Sequence, residues 1–256
     1  MKRCLAIILP VLLCLLSGCG NRTVEEGSYY AIDHFFIEEE GDALRDSMAA
    51  LTVDTFRWYQ SMEGEDGVYL IHAEHYPKEL LQEWADYGVY QTVPQQDIWY
   101  FTVSENYLRD RGLSLSDSQR EAIGEGVRLY LLPDSLPEEE AACIRAFLTE
   151  DALLGLDQPS LIDTPFSRDR KIAFDTYSWD GTLETADEGE IAHPVIFAAS
   201  CANMKYFESE SLIATGKENS YIKLSPAAFA KYAGEALPDG LKENKVTFLP
   251  LEKINN

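Results

Sequence analysis

The sequence is short of positive charge. Its 256 residues hold 21 Lys and Arg against 44 Asp and Glu, a formal net charge of −23, and only four His. So acidic a chain is repelled by nucleic-acid phosphates and anionic lipid headgroups, which argues against nucleic acid as a partner. The same field favours solubility, or a cationic partner such as a basic peptide or a metal ion. Cysteine is scarce as well. Cys4 and Cys14 lie in the apolar start of the chain, Cys19 follows it, and Cys143 and Cys201 remain. Those two could pair as one disulfide in an exported protein. Cys143 falls in a helical pattern and Cys201 at the end of an apolar strand pattern, so both read as free buried thiols. No phosphate loop, dinucleotide fingerprint or Gly-x-Ser-x-Gly elbow occurs. No apolar run reaches the roughly 20 residues of a spanning helix.

What is present begins at the N-terminus, MKRCLAIILPVLLCLLSGC. Lys2 and Arg3 precede a nearly unbroken apolar run from Cys4 to Ser17, and small residues close it, the layout of a secretory signal. Pro10 in the middle of the run argues against a permanent span. Leu16-Ser17-Gly18-Cys19 resembles the lipobox of bacterial lipoproteins. That resemblance implies cleavage between Gly18 and Cys19, a diacylglyceryl group on the Cys19 thiol, and a mature chain tethered to the extracytoplasmic face of the cell membrane. Without its first 18 residues the chain keeps 238 of 256, and loss of Lys2 and Arg3 takes its charge from −23 to −25. An apolar fraction of 46% with 14 Tyr, 11 Phe and 4 Trp indicates a folded globule.

Residues 19–27 read as a polar, lipidated tether. Strands are predicted over Ser28–Ile37, Val68–Tyr76, Ile98–Val103, Val127–Leu132, Ile172–Trp179, Pro194–Cys201, Tyr221–Leu224 and Val246–Leu251. A long helix, capped by Asp42, carries Leu44, Met48, Leu51, Thr55, Tyr59 and Met62 at three- and four-residue spacing, and Gly64 and Gly67 end it. Pro77 opens a short helix that Gly88 stops. Ser135-Leu-Pro-Glu138 has the spacing of a capping box before a helix burying Ile144, Phe147 and Leu148. Ser225 caps a helix through Tyr232, with Pro226 at its first position. Strands and helices intermix without strict alternation, which gives an α+β class with mixed or antiparallel sheets and packed helices. Asp157–Arg170, with two prolines, is expected as a linker or long loop between subdomains at 28–156 and 171–256.

His72-Ala-Glu-His75 suggests a metal pair, but zinc proteases need two His four apart on one helix face. Here the spacing is three on a predicted strand, so the two side chains point to opposite faces. Ser220-Tyr-Ile-Lys223 matches the Ser-x-x-Lys of penicillin-binding enzymes, yet it lies in a predicted strand and no Lys-Thr-Gly follows. Ser104-Glu-Asn106 precedes it, in the wrong order for that family. Glu138–Glu140 suits the first turn of a helix. Asp187, Glu188 and Glu190 around Gly189 read as a solvated hairpin tip sooner than a cation site. The aromatics Tyr29, Tyr30, Phe35, Phe36, Trp99, Tyr100 and Phe101 lie in predicted strands, where core packing is the default over carbohydrate or peptide binding. The expectation is no catalytic residue, no metal and no cofactor.

Phe101-Thr-Val-Ser-Glu-Asn-Tyr-Leu108, Leu129-Tyr-Leu-Leu-Pro-Asp-Ser-Leu-Pro-Glu138 and Ala192-His-Pro-Val-Ile-Phe-Ala-Ala-Ser-Cys-Ala-Asn203 together resemble the extracytoplasmic domain of bacteriocin-associated integral membrane proteins, which are ABC permease-like. That family's membrane helices have no counterpart in these segments. The resemblance implies a non-enzymatic, lipid-anchored binding or docking module beside an ABC-type export or peptide-resistance system. Its partner would be an ABC permease or a cationic peptide. The alternative is a solute-binding lipoprotein of an importer, which needs two lobes and a hinge.

Overall fold

A computed structural model describes residues 29–185 and 189–251. The proposed leader, Cys19 and the tether lie outside the described residues, as do Asp187 and Glu188. The described strands are β1 (Tyr29–His34), β2 (Val68–Tyr76), β3 (Ile98–Ser104), β4 (Arg128–Pro133), β5 (Ile172–Tyr177), β6 (Thr182–Glu184), β7 (Glu190–Ala192), β8 (Val195–Ala199), β9 (Ile222–Leu224) and β10 (Thr247–Leu251). The helices are α1 (Gly41–Met62), α2 (Lys78–Asp86), α3 (Glu105–Asp110), α4 (Asp117–Gly124), α5 (Glu138–Leu153), α6 (Pro165–Asp169), α7 (Tyr206–Glu210), α8 (Pro226–Tyr232) and α9 (Asp239–Glu243).

Eight strands form one sheet in the order β10-β1-β9-β2-β3-β8-β4-β5, and β6 and β7 make a separate hairpin. Only β3–β8 and β4–β5 pair in parallel; the other ladders of the large sheet are antiparallel. The chain is therefore α+β. Strands from both sides of residues 157–170 share this sheet, because β8 lies between β3 and β4 and β9 between β1 and β2. The 157–170 segment itself contains α6, with Pro165 at its start and Thr164 accepting from the Ser167 N–H.

Side-chain alternation sorts the core onto the two faces of the sheet. Ile98 and Tyr100 of β3, Tyr130 and Leu132 of β4, and Val195 and Phe197 of β8 join one cluster with Leu51, Tyr59 and Met62 of α1 and Ile144, Phe147 and Leu148 of α5. Phe101, Val103, Leu129, Leu131, Ile196 and Ala198 point the other way, onto Tyr107 and Leu108 of α3, Ile123 of α4 and Leu183 of β6. All five residues of β8 are buried, as an unbroken apolar run in a central strand requires. A buried Phe or Leu such as Phe147 or Leu148 contributes about 1.5–3 kcal/mol over leaving it exposed.

Local capping signals hold at one helix start and fail at two others. Ser225 does cap α8, accepting from the Ala228 N–H at 3.2 Å. Asp42 does not cap α1: Glu40 is the N-cap residue, without a side-chain hydrogen bond, and Asp42 sits inside the first turn. Ser135 does not cap α5 either, because that helix starts at Glu138 after Pro137, leaving Ser135 in the preceding turn. The three carboxylates of Glu138–Glu140 lie in its first turn, where the helix dipole favours them. Gly67 holds β2 against β9: its carbonyl accepts from the Ser225 N–H at 2.7 Å, and a Cβ there would lie 2.1 Å from Ser225 Oγ. Cys143 and Cys201 are both free thiols, Cys201 buried and Cys143 half-buried. Among the described residues no helix is long and apolar enough to cross a membrane.

Candidate functional site

The α1/α5 face of the sheet carries more than apolar packing. Arg128, the first residue of β4, is fully buried. Its Nη2 donates to Glu208 Oε1 at 2.6 Å and Tyr100 OH at 3.2 Å, and its Nε donates to Tyr130 OH at 2.5 Å. The guanidinium lies over the Phe197 ring, 3.8 Å from the centroid. Burial is the largest influence and opposes this charge, but the Glu208 carboxylate together with Tyr130 and Tyr100 outweighs it and keeps the guanidinium protonated. Glu208 Oε2 also accepts from the Lys205 N–H at 2.8 Å. Lys205 Nζ in turn donates to Asp151 O at 2.8 Å and Asp151 Oδ2 at 2.9 Å, and Tyr90 OH donates to Asp151 Oδ1 at 3.0 Å. These bonds tie α5 and α7 to the sheet.

Glu74 is the carboxylate that this arithmetic leaves over. Arg128 answers Glu208, Lys205 answers Asp151, and Glu74 has a phenol: Tyr76 OH donates to its Oε2 at 2.8 Å. Burial raises the Glu74 pKa, the Tyr76 hydrogen bond lowers it, and the charges of Asp151 and Glu208 raise it further, while Lys205 pulls it back. The residue is nonetheless only half-buried, because it sits where β2 loses a neighbour.

That loss follows from strand length. β9 pairs with β2 through Val68, Tyr69 and Leu70. Ile71 N–H then donates to Tyr221 O at 2.9 Å, the last bond of that ladder. Upstream of β9 the chain leaves β2 and turns to β1, where Gly216 N–H donates to Ile32 O at 2.8 Å. On its other side β2 stays paired with β3 as far as Tyr76. Backbone groups of alternate residues in a strand point to opposite edges. Gly67 and Ile71 both bond toward β9, so Ala73 and His75 present their N–H and C=O to the same side. Among the described residues nothing bonds them there.

The side chains around this open half-strand differ by face. His72 stacks on Tyr221 with centroids 4.1 Å apart, and its Nδ1 is buried without a partner. Burial and then the Lys223 charge push its pKa down to about 4, so it is neutral at neutral pH. His75, on the opposite face, stacks on Trp99 at 4.5 Å, with Nε2 3.7 Å from Asp97 Oδ2. The two histidines therefore do not converge, and among the described residues no three His, Cys, Asp or Glu are placed to hold a metal ion.

The Ser-x-x-Lys tetrad is also taken apart by the geometry. Ser220 precedes β9, so the tetrad spans a loop and a strand. Lys223 Nζ donates to the backbone carbonyls of Ser220 at 2.6 Å and Lys217 at 3.1 Å, while the Ser220 hydroxyl donates to Ile222 O at 3.2 Å. Burial lowers the lysine pKa to about 7, but its amine does not reach the hydroxyl it would have to activate. Ser104 and Asn106 serve the backbone: Ser104 Oγ accepts from the Leu70 N–H, and Asn106 Nδ2 donates to Glu65 O and Val68 O.

Of the aromatics singled out, Tyr100 and Phe101 are core and Tyr30 stacks on Phe229 at 3.9 Å, while Phe36 is exposed beneath Lys245 Nζ. A groove of about 510 Å³ beside α2, lined by Glu79, Glu83, Asp86 and Tyr87, has only exposed ionisable groups and so carries less specificity than the Glu74 cluster. Glu74 was hidden in the sequence between two histidines that drew attention to metal chemistry. Arg128 gave no signal, because an isolated arginine at a strand start reads as a surface residue. No protein-family model matches the chain, and comparison with curated proteins and with solved structures gives no match either.

Proposed function

We propose that this chain is a lipid-anchored extracytoplasmic binding or docking module that works beside an ABC-type export or peptide-resistance system. The observation that carries the reading is the leader ending in Leu16-Ser17-Gly18-Cys19. Two acyl chains on Cys19 give stable attachment where one would be marginal. The half-paired β2 and the surplus carboxylate of Glu74 support binding over catalysis, since the Ser220–Lys223 pair lacks the contact a nucleophile needs. The importer reading has less support, because both chain segments share one sheet and so do not form two lobes about a hinge. The test is Cys19→Ala. The variant should lose lipid labelling and leave the membrane fraction, whereas a variant that still sediments with membranes removes the anchoring reading.

A further inference from the structure

We propose that the open edge of β2, from Ala73 to Tyr76, takes an extended basic peptide segment as an added strand, with a Lys or Arg of that segment on Glu74. This names the partner class of the binding reading above and rests on it.

The backbone supplies the affinity. Ala73 and His75 offer two donors and two acceptors along one edge, in line with β9 and already held straight by β3. Strand addition uses such groups, and side-chain pockets on alternate faces give it specificity. Four residues at about 3.3 Å each make a seat of roughly 13 Å. Neither end of the large sheet is as well prepared. β10 carries Pro250, which lacks a donor. On β5, Lys171 and Tyr177 direct their carbonyls toward β4, so Thr176 faces outward, and the Asp175 carboxylate already caps its N–H at 2.8 Å.

The side chains supply the specificity. An incoming residue directly opposite Glu74 has its Cβ about 4.5–5.5 Å from that of Glu74 on the same face. There it meets a carboxylate with a phenol as partner, in the field of Asp151 and Glu208. A cation there gives the third carboxylate the partner that Arg128 and Lys205 give the other two. The flanking residues of the segment fall on the opposite face, beside Ala73 and the Trp99–His75 stack, and should be apolar. The expected pattern is an alternation of basic and apolar residues.

The test uses the full chain in detergent micelles and a capped heptapeptide alternating valine and lysine, with a valine–glutamate version as control. Saturable binding of the lysine peptide, new amide-exchange protection at Ala73 and His75, and a loss of about tenfold or more in Glu74→Gln would support the proposal. Absence of saturable binding, equal binding of the glutamate peptide, binding indifferent to Glu74→Gln, or unchanged exchange at Ala73 and His75 would each overturn it. Lipid labelling and fractionation of Cys19→Ala are read separately, so the peptide site can fail while the anchored module stands.

Discussion

The two halves of β2 are built from one continuous strand and live in different surroundings. Val68–Ile71 has β9 on one side and β3 or its immediate continuation on the other, and all four residues are buried. His72–Tyr76 keeps β3 alone, and its residues are half-buried or exposed. Hydrophobic burial holds the first half; hydrogen bonds, ring stacking and an unmatched carboxylate occupy the second. The difference arises from β9, three residues long, not from any change in β2 itself. A short neighbour leaves a prepared edge inside the sheet, and a charged side chain placed at that edge can be half-buried without being compensated.

The largest effect should come from the compensated charges nearby. Arg128→Met leaves Glu208 buried without its cation and should cost about 3–5 kcal/mol in urea unfolding. Adding Glu208→Leu should recover much of that loss, because the cost lies in the orphaned carboxylate. If the double variant is as unstable as the sum of the singles, the pair is not the compensated unit described.

Lys223, on β9 beside the well-paired half, should set a pH dependence. Its folded pKa of about 7 lies below the usual 10.5, so the unfolded chain binds the extra proton between those values. Stability attributable to this residue therefore rises as pH climbs from about 7 to about 10, and its cost is fully present below pH 7. Relative to Lys223→Met, the wild-type protein should gain on the order of 2–4 kcal/mol across that window. A constant difference between the two proteins would show that the amine is not desolvated in the fold.

A smaller effect is expected at the open half. Glu74 has a raised pKa, so its contribution to stability declines as pH rises from the ordinary carboxylate range through its folded value. Glu74→Gln removes that cost while preserving an acceptor for Tyr76, and should raise the thermal midpoint at pH 7 by about 2–4 °C, equivalent to about 1 kcal/mol. A lowered midpoint would mean that Glu74 is held by partners as Glu208 is. A residue that weakens the fold at neutral pH is better explained by binding than by architecture.

Much of this fold was legible in the sequence, for physical reasons that also explain the gaps. Val68–Tyr76 and Val195–Ala199 announced themselves as strands because buried sheet positions demand branched and aromatic residues. The opposite orientation of His72 and His75 followed from strand periodicity alone. Ser225-Pro226 marked the start of α8 because side-chain capping is local. The start of α4 is marked only by the reciprocal Ser116–Gln119 cap, because α4 is short and Ile123 is its one buried residue, too little for a periodic apolar pattern. The strand order is not local, and nothing near β2 reveals that β9 stops after three residues. Glu74 stands out as the surplus charge only when three carboxylates and two cations from four distant segments come together on one face.

Backbone amide exchange of the peptide-free protein tests the comparison most directly. Tyr69 and Ile71 face β9 and should exchange slowly, whereas Ala73 and His75, two and four residues beyond Ile71 on the same edge, should exchange like solvent-facing amides. Equal protection at all four positions would mean that the edge is already covered, and would contradict the open half-strand on which the proposed peptide site depends.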